Sequence, residues 1–592
     1  MIKAFKTTIK AVYYTYMGAL GCGCSVMLLL AISFLMAAGV GTLAQKQNSL
    51  AMSNSGMLLI DLSLQIDEAP TQLDPFMNFL HGTQANIGIL DLSEKIRAAA
   101  DDPLIGGIVL MGSAGGGTAS FSQISEIRGF IEEFKTSSKK PVYAYLENPT
   151  QADYYLASAA TMVYTNTAST LEFKGVRLKS MFIGNALKKY GVNAELIRAG
   201  KYKSAGEFFT SDQFSPESRN VYTDIAEGIW GNVLGAVSES RKIGKDDLKQ
   251  IADTKALITS KDALKLRLAD VACPRDYFEE QMTDLAGDLN GSFNNVPVEF
   301  YSPKFSRNRR SNIAVLFIDG QIVEGNMRKR GYVTCDFYAE IIREIKADPK
   351  IKGVVLRINS PGGSAFASEI LRREIQLLSA EKPVVASFGS SAASGAYWIS
   401  AGVQKIVAEE NCLTGSIGVF GLALSGDTLA GNFGLTFDSV ETSPLADIMS
   451  GTRPMTDKER AIIQSLIDDT YEDFLKIVST GRDMPHDKVD EIAQGRVWLA
   501  SRAKETGLFD EIGNINRAIQ ICAELANLPE NTGVIQYPQP ETLQDLLVQM
   551  QGRPFAKIKE ALLPRDLSKT LEQIDFKNAV RAQTPHIINV EN

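Results

Sequence analysis

Three short stretches of this sequence carry residue types suited to acyl transfer. INSPGGS (Ile358–Ser364) follows a buried apolar run and sets Gly362 beside Gly363. Adjacent glycines let the backbone approach a ligand and turn N–H groups toward one point, as an oxyanion hole requires. A phosphate cradle or a plain tight turn uses the same residues, although no Walker lysine follows here. About thirty residues on, SFGSSAASGAYWISAG leads through small residues into a helix that starts near Ser394. A serine at that position is either a helix N-cap or a nucleophile facing the positive end of the helix dipole. The nearby PGG turn tips the balance toward a nucleophile.

A nucleophilic serine needs a base, and the 592-residue chain has only 3 His. No motif positions any of them: His81 is in a loop-like stretch, His486 in the polar MPHDK stretch and His586 near the end. The alternative is a lysine made neutral by burial, which must fall from an ordinary pKa of about 10.4. LIRAGKYKSAGEFF (Leu196–Phe209) offers Lys201 and Lys203 among small and apolar neighbours.

Composition sets the frame for this chemistry. Hydrophobic residues make up 45% and charged residues 22%, and mean hydropathy is −0.05, which fits a globular chain with room for more than one domain. The net charge of −8 argues against nucleic acid as a partner. The 6 Cys include no C-x-x-C pair, and the few His give no metal-ligand pattern, so neither a metal nor another cofactor is expected. At the N-terminus, Lys3, Lys6 and Lys10 precede a charge-free run whose most apolar part is Met17–Val40. At 1.5 Å per residue that part spans roughly 36 Å, enough to cross a bilayer. The flanking lysines predict a cytoplasmic N-terminus, an uncleaved anchor over 17–40 and export of everything beyond it.

The elements that position the candidate residues come in two copies. DDPLIGGIVLMGSAGGG (from Asp101) matches ADPKIKGVVLRINSPGG (from Ala347), and KPVYAYLENPTQADYYLASAA (from Lys140) matches KPVVASFGSSAASGAYWISAG (from Lys382). FSPESRNVYTDIAEGIW (from Phe214) matches MTDKERAIIQSLIDDTY (from Met455), so three blocks recur in order at offsets of 246, 242 and 241. Apolar strands alternate with amphipathic helices in both copies, which predicts an α/β fold of parallel β–α–β units. The position matching Ser394 in the first copy is Gln151, and the position matching the GKYKSA lysines in the second lies near Pro444, with no lysine. Each copy lacks what the other carries, which points to one composite site.

These motifs resemble those of the signal peptide peptidase A family in its long form, also called protease IV. RINSPGGS, AASGAYWIS, TGSIGVFG (Thr414–Gly421) and GKYKSA (Gly200–Ala205) carry the likeness. The resemblance implies a membrane-anchored serine peptidase related to the Clp protease and crotonase superfamily. It further implies Ser394 as nucleophile and Lys203 as general base, with Gly362 and Gly363 at the oxyanion hole and Ser416 orienting the lysine. Substrates would be cleaved signal peptides and other short apolar peptides. The chain would form a homo-oligomer, a tetramer, on the outer face of a bacterial inner membrane, and use no cofactor.

The expected organisation is a cytoplasmic N-terminus (1–16), the anchor (17–40), a first unit (55–302) that supplies the lysine and a linker (303–312). A second unit (313–531) then supplies the serine, and a tail (532–592) follows, where Leu543, Leu546, Leu547 and Met550 have helical spacing. Two rivals compete: a crotonase-like acyl-CoA enzyme, disfavoured by export, and an anchored scaffold with a decayed site, disfavoured because one copy of each residue survives.

Overall fold

The computed structural model describes residues 55–69, 86–113, 119–303, 311–539, 581–583 and 589–591. In the first unit, strands β1 (Gly56–Asp61), β2 (Ile105–Ser113), β3 (Val142–Glu147) and β4 (Met162–Thr165) alternate with helices α1 (Ile89–Asp101), α2 (Phe121–Ser138) and α3 (Gln151–Ala157). Then come β5 (Arg177–Lys179), β6 (Asn193–Ala199), the long α4 (Pro216–Arg241), β7 (Val271–Ala272) and β8 (Asn295–Pro297). The main sheet has the order β7-β4-β3-β2-β1-β8, parallel throughout.

The second unit repeats this plan. It opens with β9 (Ser311–Asp319), β10 (Gln321–Val323), α5 (Cys335–Ala347), β11 (Gly353–Ser360), β12 (Gly362–Ser364), α6 (Ala365–Ser379), β13 (Val384–Ala393) and α7 (Gly395–Ser400). It continues through β14 (Lys405–Ala408), β15 (Leu413–Gly415), β16 (Val419–Ser425), α8 (Asp457–Arg482), β17 (Val497–Leu499), β18 (Glu511–Ile512), α9 (Ile515–Leu525) and β19 (Gly533–Tyr537). Parallel pairing gives β18-β14-β13-β11-β9-β19, strand for strand the order of the first unit. Two short strands follow, β20 (Arg581–Gln583) and β21 (Asn589–Glu591).

Alternation along the strands explains how the units join. Side chains on successive strand residues point to opposite faces. Ala314, Leu316, Val354, Leu356 and Ala386 face the second unit's own helices. Ile313, Val315, Val355, Val385 and Val407 belong to a cluster that also holds Phe130, Ile131 and Val233 of the first unit. One face of the second sheet is therefore roofed by its own α9 together with the first unit, and both faces of its strands are apolar, as a parallel sheet needs.

A buried ion cluster fixes this joint. Arg357 on β11 is fully buried and meets Glu68, while its Nη1 and Nη2 reach Glu126 on α2 at 3.0 and 2.5 Å. Nη1 also donates to Ser387 Oγ on β13 at 3.0 Å, and Glu126 accepts the Ile515 amide at 2.8 Å. Gln123 donates to Glu68 at 2.9 Å. The guanidinium thus ties two strands of the second unit to two carboxylates of the first.

Two of the expected boundaries shift. The second unit does not end at residue 531, because β19 forms the edge of its sheet beside β9, the place β8 holds in the first. The linker ends earlier than residue 312, since Ser311 already pairs with Gly533. The proposed anchor, His81, His586 and the Leu543–Met550 pattern lie outside the described residues. Among the described residues, no helix is long and apolar enough to cross a membrane.

Removing one partner of a buried ion cluster leaves charge uncompensated. Arg357→Met strands Glu68 and Glu126 and should cost about 3–5 kcal/mol, read as a lower urea midpoint. An unchanged midpoint would contradict the role of this cluster in joining the units.

Candidate active site

Ser394 sits where β13 gives way to α7, held by its own amide, which donates to the Gly415 carbonyl at 2.8 Å. It occupies the N-cap position of α7, yet its side chain makes no cap hydrogen bond. Its backbone lies at φ 57° and ψ −120°, a region costly for a residue with a side chain. Three small buried neighbours, Ala392, Ala393 and Ala396, leave room around it. The hydroxyl aims instead at Lys203, whose Nζ lies 2.8 Å from Ser394 Oγ, within one chain.

Lys203 arrives from the other unit. Strand β6 leaves the first unit and pairs antiparallel with β16 of the second, Ala199 opposite Val419. The turn that follows is braced from both sides. Arg198 Nη1 donates to the Lys203 carbonyl at 3.1 Å and meets Glu207 at 2.9 Å, while Glu207 also accepts from Ser215 and Ser218 hydroxyls at 2.9 and 2.8 Å. From the second unit, Gln494 O accepts the Tyr202 amide at 2.8 Å. Gly495, at φ 76°, packs so close that a Cβ there would lie 2.6 Å from Lys203 Cβ.

The lysine amine is 1% exposed with its residue, and burial pushes its pKa well below 10.5. No carboxylate offsets that desolvation. Besides Ser394, Nζ meets the Ser416 carbonyl at 2.8 Å and the Ser416 hydroxyl at 3.0 Å. Ser416 itself has φ 51°, and its amide donates to the Arg496 carbonyl at 2.7 Å. Lys201, by contrast, is exposed and lies over the Tyr202 ring at 5.0 Å.

The glycine pair forms β12, against which α7 packs. Gly363 pairs with Ile322 of β10 so closely that a Cβ would run into the Ile322 carbonyl. Gly362 has φ 92°, and its amide donates to Ser360 Oγ at 3.2 Å. Of the histidines, His486 lies beside Glu472 at 3.0 Å. Cys273, Cys335, Cys412 and Cys522 are buried free thiols. Among the described residues, no group of His, Cys, Asp and Glu is arranged to hold a metal ion.

The first unit has filled the matching position. Gln151 opens α3, is buried, and its Oε1 accepts the Lys174 and Gly175 amides at 2.8 and 2.9 Å, with Nε2 donating back to Gly175 O at 3.1 Å. Thr150 caps α3 in the ordinary way, with Asp153 completing a capping box. A buried, hydrogen-bonded glutamine and a satisfied cap stand where the second unit keeps a serine in an unfavourable conformation. Sequence reasoning missed the Gln494–Arg496 segment and the Arg198–Glu207 pair, because a loop that braces through its backbone carries no motif.

Comparison with known proteins agrees with this architecture. The profile of peptidase family S49 matches residues 134–287 and again 376–529, an offset of 242 from the first start to the second. A serine peptidase built as a tandem repeat is the class so defined, and the chain belongs to peptidase family S49. It is 34% identical to Protease 4 of Salmonella typhi over 577 residues, covering 93% of this chain and 91% of that one. Protease 4 of Haemophilus influenzae is 34% identical over 509 residues, covering 82% of each. The chloroplastic serine protease SPPA of Arabidopsis thaliana is 30% identical over 521 residues, covering 85% of this chain and 75% of that one.

Unfolding lets Lys203 take up a proton that the folded chain holds weakly. Stability contributed through this residue therefore rises with pH between its lowered value and 10.5. The prediction is that Lys203→Met is favoured over the parent chain most strongly near neutral pH. In urea unfolding at pH 7 and pH 9.5, the difference should shift toward the parent at the higher pH. A difference independent of pH would mean the buried amine is charged.

Proposed function

We propose that the chain is a membrane-anchored endopeptidase in which Ser394 and Lys203 form a catalytic dyad. The observation that carries this reading is the 2.8 Å approach of Lys203 Nζ to Ser394 Oγ with both residues buried. A neutral amine has two N–H donors and one lone pair. Ser416 offers two acceptors, its carbonyl and its hydroxyl, which leaves the lone pair for the Ser394 proton.

In the reaction, Ser394 Oγ bonds to the scissile carbonyl carbon as its proton passes to Lys203 Nζ. The carbonyl electrons move onto oxygen, which backbone N–H groups at Gly362 and Gly363 would stabilise. Collapse breaks the C–N bond, and the lysine proton leaves on the new amine. Water then repeats the cycle on the acyl-enzyme, giving up a proton to Lys203 and releasing the acid and free Ser394.

Cleaved signal peptides and other short apolar peptides are the substrates this reading favours. The buried, small-residue surroundings of Ser394 and the backbone ladder of β12 suit an extended apolar chain. The anchor over 17–40 would hold both units on the outer face of a bacterial inner membrane. The same reading carries a homotetramer, for which the exposed apolar run Phe433, Leu435, Phe437 and Val440 offers a contact surface between subunits.

Ser394→Ala and Lys203→Ala should each lower kcat/KM for an unstructured peptide by roughly 10³-fold or more, with folding retained. Lys201→Ala should retain activity, and loss there with retention in Lys203→Ala would reassign the base. In sedimentation experiments on the intact chain in detergent, Phe433→Asp with Phe437→Asp should yield a smaller species. An unchanged assembly would remove that run from the subunit contact.

A further inference from the structure

The slot beside the glycine pair is filled by the chain itself. Strand β20, from the far end of the sequence, runs antiparallel to β12, with Gln583 opposite Gly362, Ala582 opposite Gly363 and Arg581 opposite Ser364. Its other edge meets β16, Arg581 opposite Phe420. Within a six-stranded sheet the order runs β10-β12-β20-β16-β6, with Tyr332–Thr334 outside β10, so the tail strand bridges the candidate oxyanion strand and the pair of strands that delivers Lys203. With this strand in place, Ser394 has no exposed surface, and Gly362 and Gly363 are buried.

A second attachment lies close behind it. Strand β21 pairs antiparallel with β5 of the first unit, Glu591 opposite Arg177 and Asn589 opposite Lys179. In the repeat, Arg177 and Val419 are equivalent at the 242-residue offset, so β5 is the counterpart of β16. The tail thus adds a strand to the corresponding element in both units.

We propose that the segment around Arg581–Gln583 is an intramolecular occupant of the peptide slot, competing with free peptide for the strand position over Gly362–Ser364. This rests on the reading of Ser394 and Lys203 as the peptidase site. Backbone pairing is indifferent to most side chains, so a segment of the chain can take the place of an extended substrate. Tethering supports the competition: a linked segment acts at an effective concentration in the millimolar range, which sustains occupancy even when the isolated strand binds weakly. Free substrate then binds only to the fraction of molecules whose tail has left, and its apparent affinity falls by that fraction.

Ala582→Pro tests this, because β20 is paired on both edges and a proline removes a ladder N–H toward one neighbour or the other. A chain ending at residue 579 provides the second variant. Both should show KM for an unstructured peptide lowered about 3–10-fold with kcat unchanged. A synthetic peptide of residues 577–587 should inhibit the shortened chain competitively. Unchanged KM in both variants, or a fall in kcat/KM in both, overturns the proposal, the latter by making the strand part of the working site. Hydrolysis by Ser394→Ala at the parent rate would instead overturn the peptidase assignment of the site, whatever the tail variants do.

Discussion

The proposed site rests on one constraint, a lysine amine buried away from any compensating charge. Lys203 is buried with no carboxylate nearby, so the folded chain disfavours its ammonium form. Such a group is costly to bury, and a flexible side chain left alone would turn toward water. Here it is held by backbone from both units: the Arg198 brace behind it, Gly495 packed against its Cβ, and Ser416 accepting at its head. The same residues that exclude water also fix Nζ beside Ser394.

That arrangement requires two units locked in register, and the duplication supplies them. Strand β6 crosses to pair with β16, and the Arg357 cluster clamps β11 and β13, the strands that lead to Gly362 and Ser394. A shift of an ångström between units would pull the amine from the hydroxyl. The first unit has Gln151 at the position matching Ser394. Its side chain is satisfied there by three hydrogen bonds to Lys174 and Gly175. Neither copy is complete by itself.

The repeat and the local site motifs were readable because both are written in short sequence segments. Block offsets near 242 reappear as two sheets with the same strand order. Ser394, Lys203 and Ser416 stood out by small-residue context and likeness to a family, and the fold brings the three together. Contacts made over long sequence separation were not readable. Nothing near Glu68 or Glu126 signals a partner at Arg357, and nothing in AQGRVW announces that Gly495 backs a lysine. The conformation of Ser394 was equally hidden, since a positive φ on a serine comes from tertiary constraint. Strand β19 reads as tail in the sequence because its proline-flanked, polar surroundings mask an edge strand whose pairing partner begins over two hundred residues earlier.

The most direct test of the buried neutral base is the pH dependence of Ser394 acylation by a small fluorophosphonate. The second-order labelling rate of the intact protein would be followed from pH 5 to pH 10.5 by mass spectrometry of the Ser394 peptide. A base whose pKa is held well below 10.5 by burial predicts a rate that rises through one ionisation and levels off before the ordinary lysine range. A rate still climbing tenfold per pH unit at pH 10 would show that Lys203 keeps an ordinary pKa, and would contradict the account.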